Sequence, residues 1–244
     1  MMKEIKAVIL AAGKGTRMES DKPKVVHTIE DKPMVEYVIE AVRQAGIEEI
    51  CLIVGYQAEK VKEAVTSKVT YALQEEQLGT GHAVKCAADF LGDSGQVIVL
   101  CGDTPLITGK TIKEAVDYHQ QSKNQMTVIS AIVDDPTGYG RIIRDGEGNF
   151  LKNVEHKDAS EAELESQEVN SGMYIFSVKD LQSALGKINN NNAQGEYYLP
   201  DTLEIIKREG GRVGAYILED SDEMAGVNTK AQLSAAAEIM KKRR

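Results

Sequence analysis

Two glycines, a hydroxyl and three cations stand where the first apolar run of the chain ends: Gly13-Lys14-Gly15-Thr16-Arg17, with Lys24 shortly after. Residues 7–12, reading AVILAA, suit a strand buried on both faces. Glycines directly after such a strand permit a tight turn and let backbone N–H groups approach a ligand closely. Amide donors with fixed cations are what a polyphosphate needs, so the stretch reads as a cradle for nucleotide phosphates. It is neither of the better-known glycine loops. A dinucleotide fingerprint needs a third glycine where Met18 stands, and the Walker A pattern is absent. The competing reading is an ordinary strand-to-helix turn with Arg17 and Lys24 on a solvated rim.

Other residues carry candidate chemistry further along. Gln74 ends an apolar segment, and its amide offers a donor and an acceptor that can match the imide edge of uracil. Gly79 lets main-chain groups come close to the same ring. Asp103 follows residues 97–100, another apolar run, and supplies the hard oxygen that magnesium prefers. Gly140, Glu155 and Asn170 are short polar or backbone groups of the kind that bind sugar hydroxyls and an acetamido group. Each also suits a plainer role: a strand-end amide and glycine turn, a helix cap at Asp103 or Asn228, or surface turns.

The string L-A-A-G-x-G-T-R-M with a later Pro23-Lys24 resembles the sugar-nucleotide pyrophosphorylases, nucleotidyltransferases that join an NTP to a sugar 1-phosphate. Residues 74–83, QEEQLGTGHA, are similar to the uridylyltransferase branch. Residues 138–141, 154–158, 169–172 and 190–199 resemble the UDP-N-acetylglucosamine pyrophosphorylases within it. The resemblance spans residues 5 to about 240. It implies a nucleotide-diphospho-sugar transferase fold and catalytic roles for Arg17 and Lys24. It implies nucleotide binding by Leu10, Ala11, Ala12, Gly13, Gly15, Thr16, Gln74, Gly79 and Thr80, and sugar binding by Gly140, Glu155 and Asn170. It further implies Mg2+ held by Asp103 and Asn228, with UTP and N-acetylglucosamine 1-phosphate as substrates. Bacterial members usually continue into an acetyltransferase β-helix, which this sequence is expected to lack, whether as a natural stand-alone enzyme or an isolated domain. Two alternatives stay open: another NTP and sugar 1-phosphate pair, or a nucleotide-binding regulatory subunit without catalysis.

Positioning these residues requires alternating strands and helices. Pro33 opens a helical pattern ended by Gly46, and residues 50–54 and 97–100 are buried strands. Residues 58–65 and 80–90 read as helices and 69–73 as a strand. Such alternation implies βαβ units and a parallel sheet whose ligands sit beyond the strand C-terminal ends. The second half departs from it, with β-branched residues 127–133, a hairpin over 141–154 and a strand at 169–176. Helices at 178–188 and 199–209 and a strand at 213–218 follow, while 158–168 reads as an exposed loop or short helix. The expected fold is α/β: a Rossmann-like mixed, mostly parallel sheet with helices on both faces. One unit is expected over residues 1–228, nucleotide-binding to about 107 and sugar-binding from about 108, followed by a helix over 229–244.

Composition closes off several classes. A net charge of −9 disfavours a nucleic-acid backbone or an anionic membrane. An anionic substrate must then be held by local cations, which the first loop supplies. Three cysteines without a C-x-x-C pair fit a reduced, cytoplasmic setting, and no apolar run reaches membrane-spanning length. No partner protein is inferred, and the oligomeric state is left open.

Overall fold

The computed structural model describes residues 5–192 and 194–243. The first half runs β1 (Ile5–Ala11), β2 (Thr28–Ile29), β3 (Lys32–Pro33), α1 (Met34–Gln44), β4 (Ile50–Val54), α2 (Ala58–Ala64), β5 (Thr70–Leu73), α3 (Thr80–Cys86), α4 (Ala88–Leu91) and β6 (Gln96–Cys101). The second half runs α5 (Gly109–Gln121), β7 (Met126–Ile132), β8 (Arg141–Arg144), β9 (Phe150–Val154), α6 (Glu161–Leu164), β10 (Glu168–Ser177), α7 (Val178–Leu185), α8 (Asp201–Arg208), β11 (Val213–Ile217) and α9 (Lys230–Lys242).

Among the described residues one sheet carries the order β11-β7-β10-β6-β1-β4-β5, with β8 paired to β10 and β9 paired to β8. Strands β6, β1, β4 and β5 are mutually parallel, as are β7 and β11. Strand β10 runs antiparallel to both β6 and β7. Reversal brings the start of β10 beside the end of β7, with Glu168 opposite Ile132. The sheet is therefore mixed and mostly parallel, as its alternating pattern requires.

Successive side chains of a strand point to opposite faces, so a strand covered on both sides must be apolar throughout. Ala7, Ile9 and Ala11 of β1 join Leu52, Val54, Ile98 and Leu100 under helices α1, α2 and α5. Val8 joins Cys51, Ile53, Val97 and Val99 under α3, α7 and α8. Each fully buried Ile or Leu contributes about 1.5–3 kcal/mol relative to exposure. A third cluster docks α9: Ala236 and Leu233 pack with Val227 against Ile29, Met34 and Leu106. That helix is held at its start by a capping box between Thr229 and Gln232.

One local expectation is corrected. The single helix over 80–90 divides at Ala87 into α3 and α4. Helix α5 was not anticipated; Thr108 caps it, and Glu223 accepts from the Thr108 backbone and hydroxyl. Lys32 lies in the β2-β3 ribbon, where its ammonium binds both oxygens of Glu40 at 2.8 Å. Residues 1–4, Ala193 and Arg244 lie outside the described residues.

Candidate active site

The loop after β1 is shaped by two contacts. Gly15 has φ +67° and ψ 49°, a left-handed conformation that favours glycine. A Cβ there would also stand 2.5 Å from Cβ of Lys24, so the Lys24 stem crosses the loop where only hydrogen fits. Met18, where a dinucleotide loop would need glycine, is fully buried and anchors the 3-10 turn Thr16–Met18 to the core.

Charges meet beyond this loop. The Lys24 ammonium donates to Oδ2 of Asp103 and, at 2.9 Å, to Oδ1 of Asn228. Arg17 donates to the same Asn228 oxygen at 2.9 Å. Asp103 is placed by the end of β6, and the Val227 N–H donates to its carbonyl at 2.8 Å, tying the strand to the segment that carries Asn228. Thr229, not Asn228, caps α9, so the Asn228 side chain is not consumed by capping. One carboxylate oxygen and one amide oxygen thus both face the ammonium of Lys24, and Arg17 shares the amide oxygen. That geometry fits a small divalent ion, which takes one or two protein oxygens and completes its shell with water and phosphates. Among the described residues no group of three or more His, Cys, Asp or Glu side chains could hold a metal.

A cavity of about 280 Å³ adjoins the cluster. Leu10, Ala11, Ala12, Gly13, Gln74, Gly79 and Thr80 all line it, with Lys24 and Asp103. Gly15, Thr16 and Arg17 lie outside its wall. Gln74 is 3 % exposed, and its Nε2 donates to the Gly79 carbonyl and to Nδ1 of His82, both at 3.1 Å. Both amide hydrogens are therefore engaged within the protein, and Oε1 is the group Gln74 presents as an acceptor. This corrects the expectation that the amide offers a donor and an acceptor to the same ring.

Residues 196–199 close the far side. Tyr197 N–H donates to the Leu78 carbonyl at 2.7 Å, and its carbonyl accepts from Gly81 N–H at 2.8 Å. Thr80 Oγ1 accepts from Leu199 N–H at 3.0 Å. Gly79 has φ +106°, and a Cβ there would lie 2.6 Å from the Tyr197 carbonyl oxygen, so the latch requires glycine. Glu196, Gln77 and Cys101 also line the cavity, none of them anticipated. Glu196 and Gln77 had a signal in the resembling runs 190–199 and 74–83; Cys101 had none beyond sitting near Asp103. Burial pushes the Cys101 thiol up to about 12, with the Asp103 charge acting the same way and Lys24 opposing it, so the thiol stays protonated at neutral pH.

The three sugar candidates lie together around the start of β10. Asn170 N–H donates to the Gly140 carbonyl at 2.9 Å. A Cβ on Gly140 would stand 3.1 Å from Oε1 of Glu155. Asn170 is braced, accepting from Gly172 N–H and donating to the Tyr174 hydroxyl, both at 2.9 Å. Asn170 still pairs with Ser130 of β7, and the register of β10 then shifts before Met173, a bulge that leaves Ser171 and Gly172 out of the ladder. Cys101 Sγ approaches the Gly172 carbonyl at 3.6 Å, linking the bulge to the nucleotide cavity.

A mostly parallel sheet with a glycine-and-cation loop after its first strand, and Asp103 just beyond β6, is an arrangement suited to a nucleotide's phosphates at the strand C-terminal ends. The chain belongs to the nucleotidyl transferase family, which matches residues 6–223. It is 52% identical over 243 residues to the bifunctional protein GlmU of Acetivibrio thermocellus, covering 99% of this chain and 53% of that protein. A GlmU of Caldanaerobacter subterraneus is also 52% identical over 242 residues, again with 53% of its length covered. The chain thus spans about half the length of the curated relatives it matches. Its fold is similar to a crystal structure of UDP-glucose pyrophosphorylase complexed with UDP-glucose, with TM-score 0.79, 21% identity and 100% of both chains covered.

Proposed function

We propose that the chain transfers a uridylyl group from UTP to N-acetylglucosamine 1-phosphate, releasing pyrophosphate. The observation that carries the reading is that Lys24 and Asp103, gathered with Arg17 and Asn228, line the same cavity as Gln74, Gly79 and Thr80. The sequence resemblance at residues 74–83, 138–141, 154–158, 169–172 and 190–199 supports the choice of base and sugar.

A phosphate oxygen of the sugar 1-phosphate attacks the α-phosphorus of UTP. The new P–O bond forms as the bond to the bridging α–β oxygen breaks, and pyrophosphate leaves with that electron pair. The nucleophile is already ionised at neutral pH, so no general base is required. Both reactants are anions, and neutralisation with alignment lowers the barrier. Lys24 stabilises the α-phosphate, while Arg17 and the amides from Gly13 to Thr16, including Gly15, hold the leaving phosphates. Asp103 and Asn228 would hold Mg2+. When bound, Mg2+ supplies further neutralisation and alignment of the phosphates.

Leu10, Ala11, Ala12 and Thr80 shape the nucleotide pocket. Oε1 of Gln74 accepts the uracil N3–H, and the Gly79 main chain approaches the ring. Glu155 accepts from sugar hydroxyls, with Gly140 and Asn170 completing that subsite. In this reading the chain to about residue 107 serves the nucleotide and the part from about 108 to 228 the sugar, followed by helix α9. No helix among the described residues is long and apolar enough to cross a membrane, and a cytoplasmic setting is proposed.

The test is pyrophosphate release from UTP and N-acetylglucosamine 1-phosphate with Mg2+, against CTP, dTTP and glucose 1-phosphate, with EDTA as blank. Release confined to UTP with the N-acetylated sugar supports the reading. Activity with another pair alone would overturn the pocket assignments, and UTP binding without release from any pair would favour a regulatory subunit.

A further inference from the structure

Arg141 opens β8 with a side chain only 2 % exposed, among the largest fully buried ones in the protein. Among the described residues no carboxylate pairs with its guanidinium within 4.0 Å, and the Asp135 carboxylate senses its charge only from farther off. Its donors go elsewhere. One terminal nitrogen donates to the Pro136 carbonyl at 2.6 Å and to the Tyr139 carbonyl. The other donates to Nδ1 of His156 at 3.3 Å, while Nε is buried without a partner. Packing alone does not call for this arrangement, because an apolar side chain of similar volume would fill the site without desolvating a charge.

What the guanidinium joins is specific. Pro136 and Tyr139 bracket the turn that presents Gly140, and His156 directly follows Glu155. Gly140 in turn receives Asn170 N–H on its carbonyl and faces Glu155. Arg141 therefore stands behind all three sugar candidates and fixes the spacing of the segments that carry them. We propose that Arg141, with His156 as its acceptor, is a positioning residue for the sugar 1-phosphate. It holds the 136–140 turn and the Glu155-His156 corner in register so that hexosamine hydroxyls meet Gly140, Glu155 and Asn170 together. The proposal rests on the sugar-site reading given above.

The test compares Arg141→Lys, Arg141→Met, His156→Gln and His156→Leu in steady-state kinetics, with amide hydrogen exchange over residues 136–140 and 155–158. A lysine keeps the charge but carries its donors on one compact nitrogen instead of a spread planar fork, and glutamine keeps an acceptor that leucine lacks. Expected for both Arg141 variants is a KM for the sugar 1-phosphate raised about tenfold or more, with KM for UTP within about twofold. Faster exchange in the 136–140 turn should accompany it, and His156→Gln should retain more sugar affinity than His156→Leu. Folded variants with an unchanged sugar KM, or with both KM values raised equally, would overturn the proposal. If Arg141→Met fails to fold, the His156 pair carries the same comparison. A wild-type protein silent with every sugar 1-phosphate would defeat the sugar-site reading instead. Exchange in Arg141→Lys would then still decide the clamp, since unchanged protection of 136–140 would overturn it.

Discussion

Gln74 and His82 are joined at 3.1 Å, with the amide of one donating to Nδ1 of the other. His82 thereby sets which end of Gln74 turns toward the cavity. Gln74→Leu is expected to lower kcat/KM for UTP by about 10- to 100-fold, the cost of leaving one pyrimidine hydrogen bond unmade. His82→Leu frees the amide to rotate and should narrow the preference for UTP over CTP. Both are read from kcat/KM with each nucleotide at saturating sugar 1-phosphate.

Arg17→Ala and Asp103→Ala should each lower turnover by about a hundredfold or more, as expected when a partner for transition-state charge is lost. Pyrophosphate release at saturating substrates measures it. Near-normal turnover in either variant would remove that residue from the mechanism.

Lys24 occupies the two oxygens proposed for the metal. A divalent ion must displace it, so free protein is expected to bind Mg2+ or Mn2+ weakly and more tightly once UTP draws the ammonium away. Lys24→Met should bind Mn2+ more tightly than wild type without nucleotide while losing turnover. Titration calorimetry decides it: equal affinity in the two proteins contradicts the competition.

Gly15→Ala places a side chain in a left-handed conformation, which costs about 1–2 kcal/mol. It also drives a methyl into the Lys24 stem. Turnover should fall further than thermal stability predicts, because Lys24 is displaced as well as the loop strained. Melting temperature and kcat measured on the same preparation separate the two effects.

Glu36 is 4 % exposed and accepts from the backbone and hydroxyl groups of Thr66 and Ser67. Burial alone would raise its carboxyl; the hydrogen bonds from Ser67 and Thr66 outweigh that and hold it below its ordinary value of 4.5. A carboxyl lowered in the folded state contributes stability that is present above 4.5 and lost as pH falls through the folded value. The stability gap between wild type and Glu36→Gln should therefore be widest near neutrality and shrink on acidification below 4.5. Urea melts at pH 7 and in acid check the sign.

Much of this was legible in the chain because the relevant signals are local. An apolar run with glycines after it marks β1 and its loop, and unbroken apolar residues mark β4 and β6 as covered on both faces. What could not be read was set by tertiary contact. Nothing near Arg141 signals that its donors go to Pro136, Tyr139 and His156. Gln74 looks bifunctional until His82 and Gly79 claim its hydrogens. The sequence places Lys24 on the phosphates, whereas its ammonium rests on Asp103 and Asn228, oxygens contributed by distant segments. Helix α5 escaped because its period is diluted by polar residues and its cap depends on Glu223, far along the chain.

Asn228 lies 204 residues after Lys24, and α9 packs directly behind it. Translation delivers the phosphate loop, the base pocket and Asp103 first, and domains tend to fold in that order. A nascent chain can thus assemble its nucleotide cavity while the second oxygen facing Lys24 has yet to be made. Under the proposed function, catalytic competence arrives late, when residues 225–240 are released and dock on Ile29, Met34 and Leu106. In that reading, synthesis itself sets the moment at which turnover can begin.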